Sequence, residues 1–242
     1  MSHTFSLLET ILYEPDNGFY LLDLHVARLL RSARSFLDQQ LLKTVPVDAD
    51  FITRRLKDTV PDTPMYKRVR LLLDDRDVRV EYNELPTPQH AYETLDAAAQ
   101  QPLESCLTIA LDSQASPVKN NPFIENKTTH RDIYNEARAR ARCGEPDGPF
   151  DVVLWNEDGH VTETSIANIA VLIKQEDGSN VWRTPGVGSG LLPGVFREHL
   201  LQSVQKVQTG TITAGDLVEA SKQRLPIICF NAVRKAYRVR LI

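Results

Sequence analysis

Residues 151–173 read DVVLWNEDGHVTETSIANIAVLI, and the fold turns on how they are read. Asp151 to Trp155 is mostly apolar, Asn156 to Gly159 supplies turn residues, and Val161 to Ile173 resumes the strand pattern. Strand, turn, strand is a β-hairpin. Polar residues interrupt the second strand at Thr162, Glu163, Thr164 and Ser165. A carboxylate held there, Glu163, can pair with a protonated ring nitrogen of a buried cofactor. On the residues alone it is equally a solvent-facing position on an alternating strand.

Downstream, Gly194 to Val204 has helical character, Thr213-Ala-Gly-Asp216 fits a capped helix start, and Pro226 to Phe230 and Tyr237 to Leu241 read as closing strands. Upstream, a helix from Thr129 to Arg142 precedes the hairpin. Before that helix, residues 113–121 are polar, contain proline and lack periodicity, which marks a linker. The expected organisation is α/β (α+β), with a small N-terminal α/β domain over 1–113 and a larger C-terminal domain over 121–242. In the first domain, Phe5 to Tyr13 and Phe19 to Asp23 flank Pro15-Asp-Asn-Gly18, a hairpin signal. From His25 a helix places Val26, Leu29, Leu30, Ala33, Phe36 and Leu37 at helical spacing, with Arg28, Arg31 and Arg34 turned mostly elsewhere. Asp48 or Asp50 caps a second helix ending near Thr59, followed by strands Tyr66 to Leu73 and Val78 to Tyr82 and an edge strand from Cys106 to Leu111.

The 242 residues carry 28 Lys+Arg against 32 Asp+Glu, a net charge of 28 − 32 = −4. With no charge block, neither a nucleic-acid surface nor an anionic membrane is expected as a partner. No apolar run approaches the ~18 residues of a membrane span, and the N-terminus has no basic-then-apolar leader pattern, so a cytoplasmic protein is expected. Cys106, Cys143 and Cys229 are widely spaced, and the six histidines form no HExxH. Neither a disulfide framework nor a metal site is expected.

Three further positions invite chemistry. Lys127, in Asn126-Lys-Thr-Thr-His-Arg131, stands where linker meets helix, and a desolvated amine there suits Schiff-base chemistry. Ser189-Gly-Leu-Leu-Pro-Gly194 precedes a helix whose first amides can receive a phosphate. Arg28 can add a fixed positive charge for the same phosphate. Taken singly, each is also an ordinary surface lysine, glycine-proline turn or wet-face arginine.

Together the segments FSLLETILY (5–13), GFYLLDLHVARLLRSA (18–33), NKTTHRDIYNEA (126–137), DVVLWNEDGHVTETSIANIAVLI (151–173), TPGVGSGLLPGVFRE (184–198) and ICFNAVRKAYRVRL (228–241) resemble the class IV aminotransferase family. These are the pyridoxal-phosphate enzymes of fold type IV, among them branched-chain and D-amino-acid aminotransferases and 4-amino-4-deoxychorismate lyase. The resemblance implies pyridoxal 5′-phosphate as cofactor, Lys127 as its Schiff-base lysine and proton-transfer base, and Glu163 as partner of the ring nitrogen. It implies Arg28 as a phosphate ligand, Ser165 and Ile166 as backbone positions near the phosphate, Leu192 against the ring, and Val195 and Phe196 as amides at the helix start. Where transaminases present a threonine hydroxyl, this chain has Phe196, so only main-chain donors serve there.

Two patterns resemble the lyase branch. Arg131 follows Lys127 by four positions and Asp132 replaces a transaminase tyrosine, while Phe230-Asn-Ala-Val-Arg234 is similar to the lyases' asparagine-containing turn. The implied activity is elimination of pyruvate from aminodeoxychorismate to give 4-aminobenzoate, a step of folate synthesis. Thr10 would protonate the departing pyruvate, and Asn231, Ala232, Arg131, Arg234 and Lys119 would meet the small-molecule substrate. A glycine is usual in these lyases where this chain has Lys235. A homodimer is implied as well. The alternatives are a class IV aminotransferase using the same Lys127 and Glu163, and a non-catalytic relative that keeps the fold.

Overall fold

A computed structural model describes residues 5–43, 47–88, 90–118, 120–175, 178–203 and 207–242. Contacts divide the chain into two units, one of Met1–Gln89 with Asn126–His130, the other of His90–Glu125 with Arg131–Ile242. The units therefore do not part at the expected linker, 113–121.

The first unit is a four-stranded antiparallel sheet with two helices. Its elements are β1 (Leu7–Glu14), β2 (Gly18–Phe19), α1 (Leu22–Asp38), α2 (Ala49–Thr59), β3 (Tyr66–Leu73) and β4 (Val78–Leu85), in sheet order β2-β1-β3-β4. Gly18 takes the positive φ (73°) that the β1–β2 turn needs. The Asp48 carboxylate caps α2 by accepting from Phe51 N–H at 2.8 Å. The buried stripe of α1 comprises His25, Val26, Arg28, Leu29, Ser32, Ala33 and Phe36. Arg31 and Arg34 are exposed as expected, but Arg28 is not on their face. A buried counter-ion, described below, holds it in the core stripe.

The second unit is built on an eight-stranded mixed sheet in the order β10-β9-β8-β11-β12-β5-β6-β7. Its elements are α3 (Leu95–Ala99), β5 (Leu107–Leu111), α4 (Pro122–Glu125), α5 (Asp132–Arg140), β6 (Asp151–Trp155), β7 (Val161–Thr164), β8 (Asn168–Lys174), β9 (Asn180–Pro185), α6 (Val195–Gln202), β10 (Val207–Gly210), α7 (Ala214–Lys222), β11 (Ile227–Asn231) and β12 (Lys235–Leu241). The Thr213/Asp216 capping box opens α7 as expected. Strand β5 is interior rather than an edge, parallel to both β12 and β6. Buried Ile109, Val153, Val161, Ile169, Val171, Leu217, Ile227 and Val239 form one core around this sheet.

The β6–β7 hairpin is present, but the strand expected over Val161 to Ile173 is two strands. Thr164 and Ala167 close a tight reversal: Thr164 N–H donates to Ala167 O (2.8 Å), and the Thr164 hydroxyl accepts from Ala167 N–H (3.0 Å). A serine or threonine hydroxyl that bonds nearby backbone competes with the ladder. β7 stays with β6, whereas β8 runs between β11 and β9. The helix expected from Thr129 begins instead at Asp132, because residues 127–129 hydrogen-bond to β1.

Candidate active site

In the first unit, β2 is only two residues long, so the edge of β1 near Leu7 is left for another partner. Residues 127–129 take it. Leu7 and Thr128 form an antiparallel bridge, flanked by Leu8 N–H to Lys127 O (2.8 Å) and Thr129 N–H to Ser6 O (2.9 Å). The Thr129 hydroxyl also accepts from Ser6 N–H at 2.9 Å. This register sets Lys127 opposite Leu8. Side chains alternate along β1, so Leu8 and Thr10 share one face and Glu9 lies on the reverse face with α1. Thr10 is paired with Arg70 in β3 and Arg70 with Glu81 in β4, the latter two joined at 3.1 Å. Arg70, which the sequence reading did not single out, is thus a cation one strand away from the Thr10 hydroxyl.

On the reverse face, Glu9 is 1% exposed and accepts from Arg28 Nε (2.8 Å) and Nη2 (2.5 Å) and pairs with His25 Nδ1 (2.6 Å). Burial alone would raise the Glu9 carboxyl, but the charge of Arg28 and hydrogen bonds from His25 and Arg28 outweigh it and hold the group down at about 2. Burial depresses the basicity of His25 despite the Glu9 hydrogen bond, and the charges of Arg28 and Lys127 add to that depression. A phosphate meeting Arg28 would add to this two-point pair, not replace it.

In the second unit, Glu163 is 4% exposed at the centre of a hydrogen-bond cage. Tyr134 OH donates to Oε1 (2.7 Å), Leu192 N–H donates to Oε1 (3.0 Å), and Asn168 Nδ2 donates to Oε2 (3.3 Å). Burial first, and then the Glu163 charge, push the Tyr134 phenol well above its usual range, so it remains a donor. A buried carboxylate fixed by neutral donors suits pairing with a protonated heterocycle nitrogen. Neither Tyr134 nor Asn168 was singled out from the sequence. Tyr134 lies 29 positions from Glu163 with no local signal, and Asn168 follows Glu163 by five positions but across the β7–β8 reversal.

Leu192 belongs to the loop before α6, and its carbonyl accepts from the same Asn168 amide at 2.9 Å. Gly194 is the helix N-cap and has no side chain with which to cap it. A Cβ at Gly194 would come within 2.1 Å of Asn168 Oδ1, so glycine is required by close approach. Val195 and Phe196 open the helix. The Phe196 ring is fully buried near Phe230 (centroids 6.2 Å apart), so its main-chain N–H is what it can offer a phosphate.

Ser165 is committed inside the unit. Its N–H donates to Val152 O (3.0 Å), its carbonyl accepts from Arg131 Nη2 (2.6 Å), and its hydroxyl bonds Asp151 while accepting from Arg138 Nη1 (3.0 Å). These bonds pin the reversal between β7 and β8. Ile166 beside it is 39% exposed, and its carbonyl accepts from Asn231 Nδ2 at 3.1 Å. Asn231 Oδ1 accepts from Val233 N–H (2.9 Å) and Arg234 N–H (2.8 Å), the geometry of an Asx turn. One amide therefore ties the 231–235 turn to the β7–β8 reversal. Ala232 is buried, and the Arg234 guanidinium lies 5.0 Å from the Phe150 ring. The Arg131 guanidinium also sits over the Tyr134 ring at 4.7 Å. Lys119 lies outside the described residues.

The family Amino-transferase class IV matches residues 6–242. The chain belongs to that family. A Schizosaccharomyces pombe relative, provisionally named an aminodeoxychorismate lyase, is 32% identical over 98% of this chain and 90% of its own length. Among solved structures, a provisionally assigned amino-acid aminotransferase from Mesorhizobium loti superposes with TM-score 0.75 at 24% identity, over 99% of this chain and 100% of that one. A PLP-bound hypothetical aminotransferase from Mycobacterium tuberculosis has TM-score 0.68 at 18% identity, over 98% and 81%. The class IV aminotransferase fold, fold type IV, is thus established for this chain, with its small antiparallel sheet and larger mixed sheet. The family is PLP-dependent. Taken by itself, the second unit has groups that suit that cofactor, a caged carboxylate and a helix start without a side-chain cap. Among the described residues no helix is long and apolar enough to cross a membrane.

Proposed function

We propose that this class IV enzyme is a 4-amino-4-deoxychorismate lyase that uses pyridoxal 5′-phosphate and releases pyruvate and 4-aminobenzoate. One observation carries the reading: the Leu7–Thr128 bridge seats Lys127 opposite Leu8, two residues from Thr10 in β1, with Arg70 paired to Thr10. A lyase needs two proton-handling groups, one at the amine-bearing ring carbon and one at the departing three-carbon fragment. The S. pombe relationship and the Asn231 turn support the same assignment.

The cofactor, when bound, supplies an electron sink for the charge left on the amine-bearing carbon. Lys127 would take the proton from that carbon. Thr10 Oγ would deliver a proton to the methylene carbon of the leaving enolpyruvate and recover it from the Lys127 ammonium, so that the fragment departs as pyruvate, the ring becomes aromatic and both groups regain their starting protonation. Glu163, held by Tyr134, Asn168 and the Leu192 amide, would keep a proton on the ring nitrogen. Arg28 and the amides of Val195 and Phe196 would take the phosphate. Arg70, Arg131 and Arg234 are the cations assigned to the substrate's carboxylates. The enzyme is proposed to act as a homodimer.

The test is incubation with aminodeoxychorismate and no keto acid. Pyruvate and 4-aminobenzoate should appear in equal amounts, and Lys127→Ala should abolish both. Turnover that requires a keto-acid acceptor would make the chain an aminotransferase. Failure to bind pyridoxal phosphate at all would make it a non-catalytic relative.

A further inference from the structure

Arg131 stands at an adverse place for a cation. It is the N-cap of α5, where the positive end of the helix disfavours a guanidinium, and its side chain makes no capping bond. Two contacts hold the side chain there instead. Nη2 donates to Ser165 O at 2.6 Å, and the guanidinium carbon lies 4.7 Å from the centre of the Tyr134 ring. That separation is inside the ~6 Å range over which an aromatic face attracts a cation.

The same ring carries a donor to Glu163. Tyr134 follows Arg131 by three positions, and its hydroxyl donates to Glu163 Oε1 at 2.7 Å. Direct contacts thus run from guanidinium to ring to carboxylate, all within the second unit. Ser165 comes two residues after Glu163, so Arg131 also grips the chain just beyond the carboxylate. A cation over the face of a phenol draws electron density from the ring, which polarises the O–H and makes it a stronger donor. A carboxylate that accepts a stronger hydrogen bond is better held in its ionised form. Burial first, and then the Glu163 charge, push the Tyr134 phenol upward, and the charge of Arg131 works against them.

We propose that Arg131 is a positioning residue for Glu163 that acts through Tyr134: its guanidinium, anchored on Ser165 O, lies on the ring and strengthens the hydrogen bond from the phenol to the carboxylate. The inference deepens the proposed function, because it rests on the role of Glu163 toward a ring nitrogen. It leaves the other guanidinium donors for the substrate carboxylate assigned to Arg131 above.

The test uses protein free of cofactor. With 13C-labelled glutamate and Glu163→Gln to assign the resonance, Arg131→Gln and Arg131→Met should each raise the midpoint of the Glu163 carboxyl titration by about 0.5 pH unit, roughly a threefold gain in proton affinity. Arg131→Lys, which keeps a cation for the ring, should return at least about half of that shift. In a Tyr134→Phe background, replacing Arg131 by Gln should move the midpoint less than about one third as far, because the phenol that carries the effect is gone. An unmoved titration in both neutral variants, or a lysine variant no better than glutamine, would overturn the proposal. A full shift in the Tyr134→Phe background would overturn it too, since the charge would then act on Glu163 without the phenol. If neither neutral variant folds while Tyr134→Phe does, Arg131 serves the fold alone and the proposal fails. A negative lyase assay with these shifts intact would remove the substrate assignment and leave the Arg131–Tyr134–Glu163 coupling standing, whereas lyase turnover with an unmoved titration would do the reverse.

Discussion

Glu9 and Arg28 form a buried two-point ion pair, Nε to Oε1 at 2.8 Å and Nη2 to Oε2 at 2.5 Å, with their side chains 1% and 7% exposed. Removing one charge from such a pair strands the other. Glu9→Gln should therefore cost about 3–5 kcal/mol of stability. Equilibrium urea unfolding measures it, and a loss below about 1 kcal/mol would show that Arg28 finds another partner.

The same cluster sets an acid limit. The folded pKa of Glu9 lies at about 2 against an ordinary 4.5, and that of His25 lies below 6.5. Both are depressed, so both contribute stability at neutral pH that is lost as pH falls: the His25 part from about 6.5 downward, the Glu9 part between about 4.5 and 2. Melting temperature measured from pH 8 to pH 3 should decline on the acid side. Glu9→Gln should flatten the lower part of that decline.

Tyr134→Phe removes a donor from a buried carboxylate while preserving the ring. Hydrogen bonds to charged groups are worth about 1.5–3 kcal/mol, so stability should fall by that order. Cofactor affinity, read by fluorescence titration, should weaken in parallel. Loss of stability with unchanged affinity would separate Tyr134 from the role assigned to Glu163.

Gly194→Ala tests the close approach at Asn168. Gly194 has an ordinary φ of −66°, so the new methyl brings only a clash. Asn168 must move, loosening its bonds to Glu163 and Leu192 O, at a cost of about 1–3 kcal/mol. Pairing the change with Asn168→Ala should recover part of the loss in a thermal melt.

Lys235 occupies a left-handed conformation, φ 56°, with its amine bonded to Glu93. A left-handed residue with a Cβ costs about 1–2 kcal/mol, and an ion pair to a half-exposed partner returns about 0–1. Lys235→Gly should be at least as stable as the unchanged protein, and Lys235→Ala less stable than either. Differential calorimetry of the three proteins gives the order directly.

Much of this architecture was legible because short-range rules hold locally. The Asn17-Gly18 reversal, the Asp48 cap, the Thr213/Asp216 box and the hairpin at 151–164 all form where residue chemistry puts them. What could not be read depends on partners distant in sequence. The division of 161–173 into two strands follows from β8 joining β11 and β9, and no glycine or proline marks it. Thr129 begins no helix because Ser6 claims it. Arg28 looked like a wet-face arginine until Glu9, 19 positions away, buried it. The carboxylate at 163 was readable as an intrusion into an apolar strand, whereas its donors Tyr134 and Leu192 lie 29 positions to either side.

Residues 126–130 fold with the first unit although residues 90–125 before them and 131–242 after them fold with the second. Lys127 therefore rides on a short segment bridged to β1, which is encoded more than a hundred codons upstream. Recombination between homologous genes anywhere in 90–125 would seat the lysine of one parent against the strand of another. Chimeras of this family should accordingly fail or survive by the match at Leu7 and Thr128, and shuffled libraries should keep 5–14 and 126–130 from a common parent.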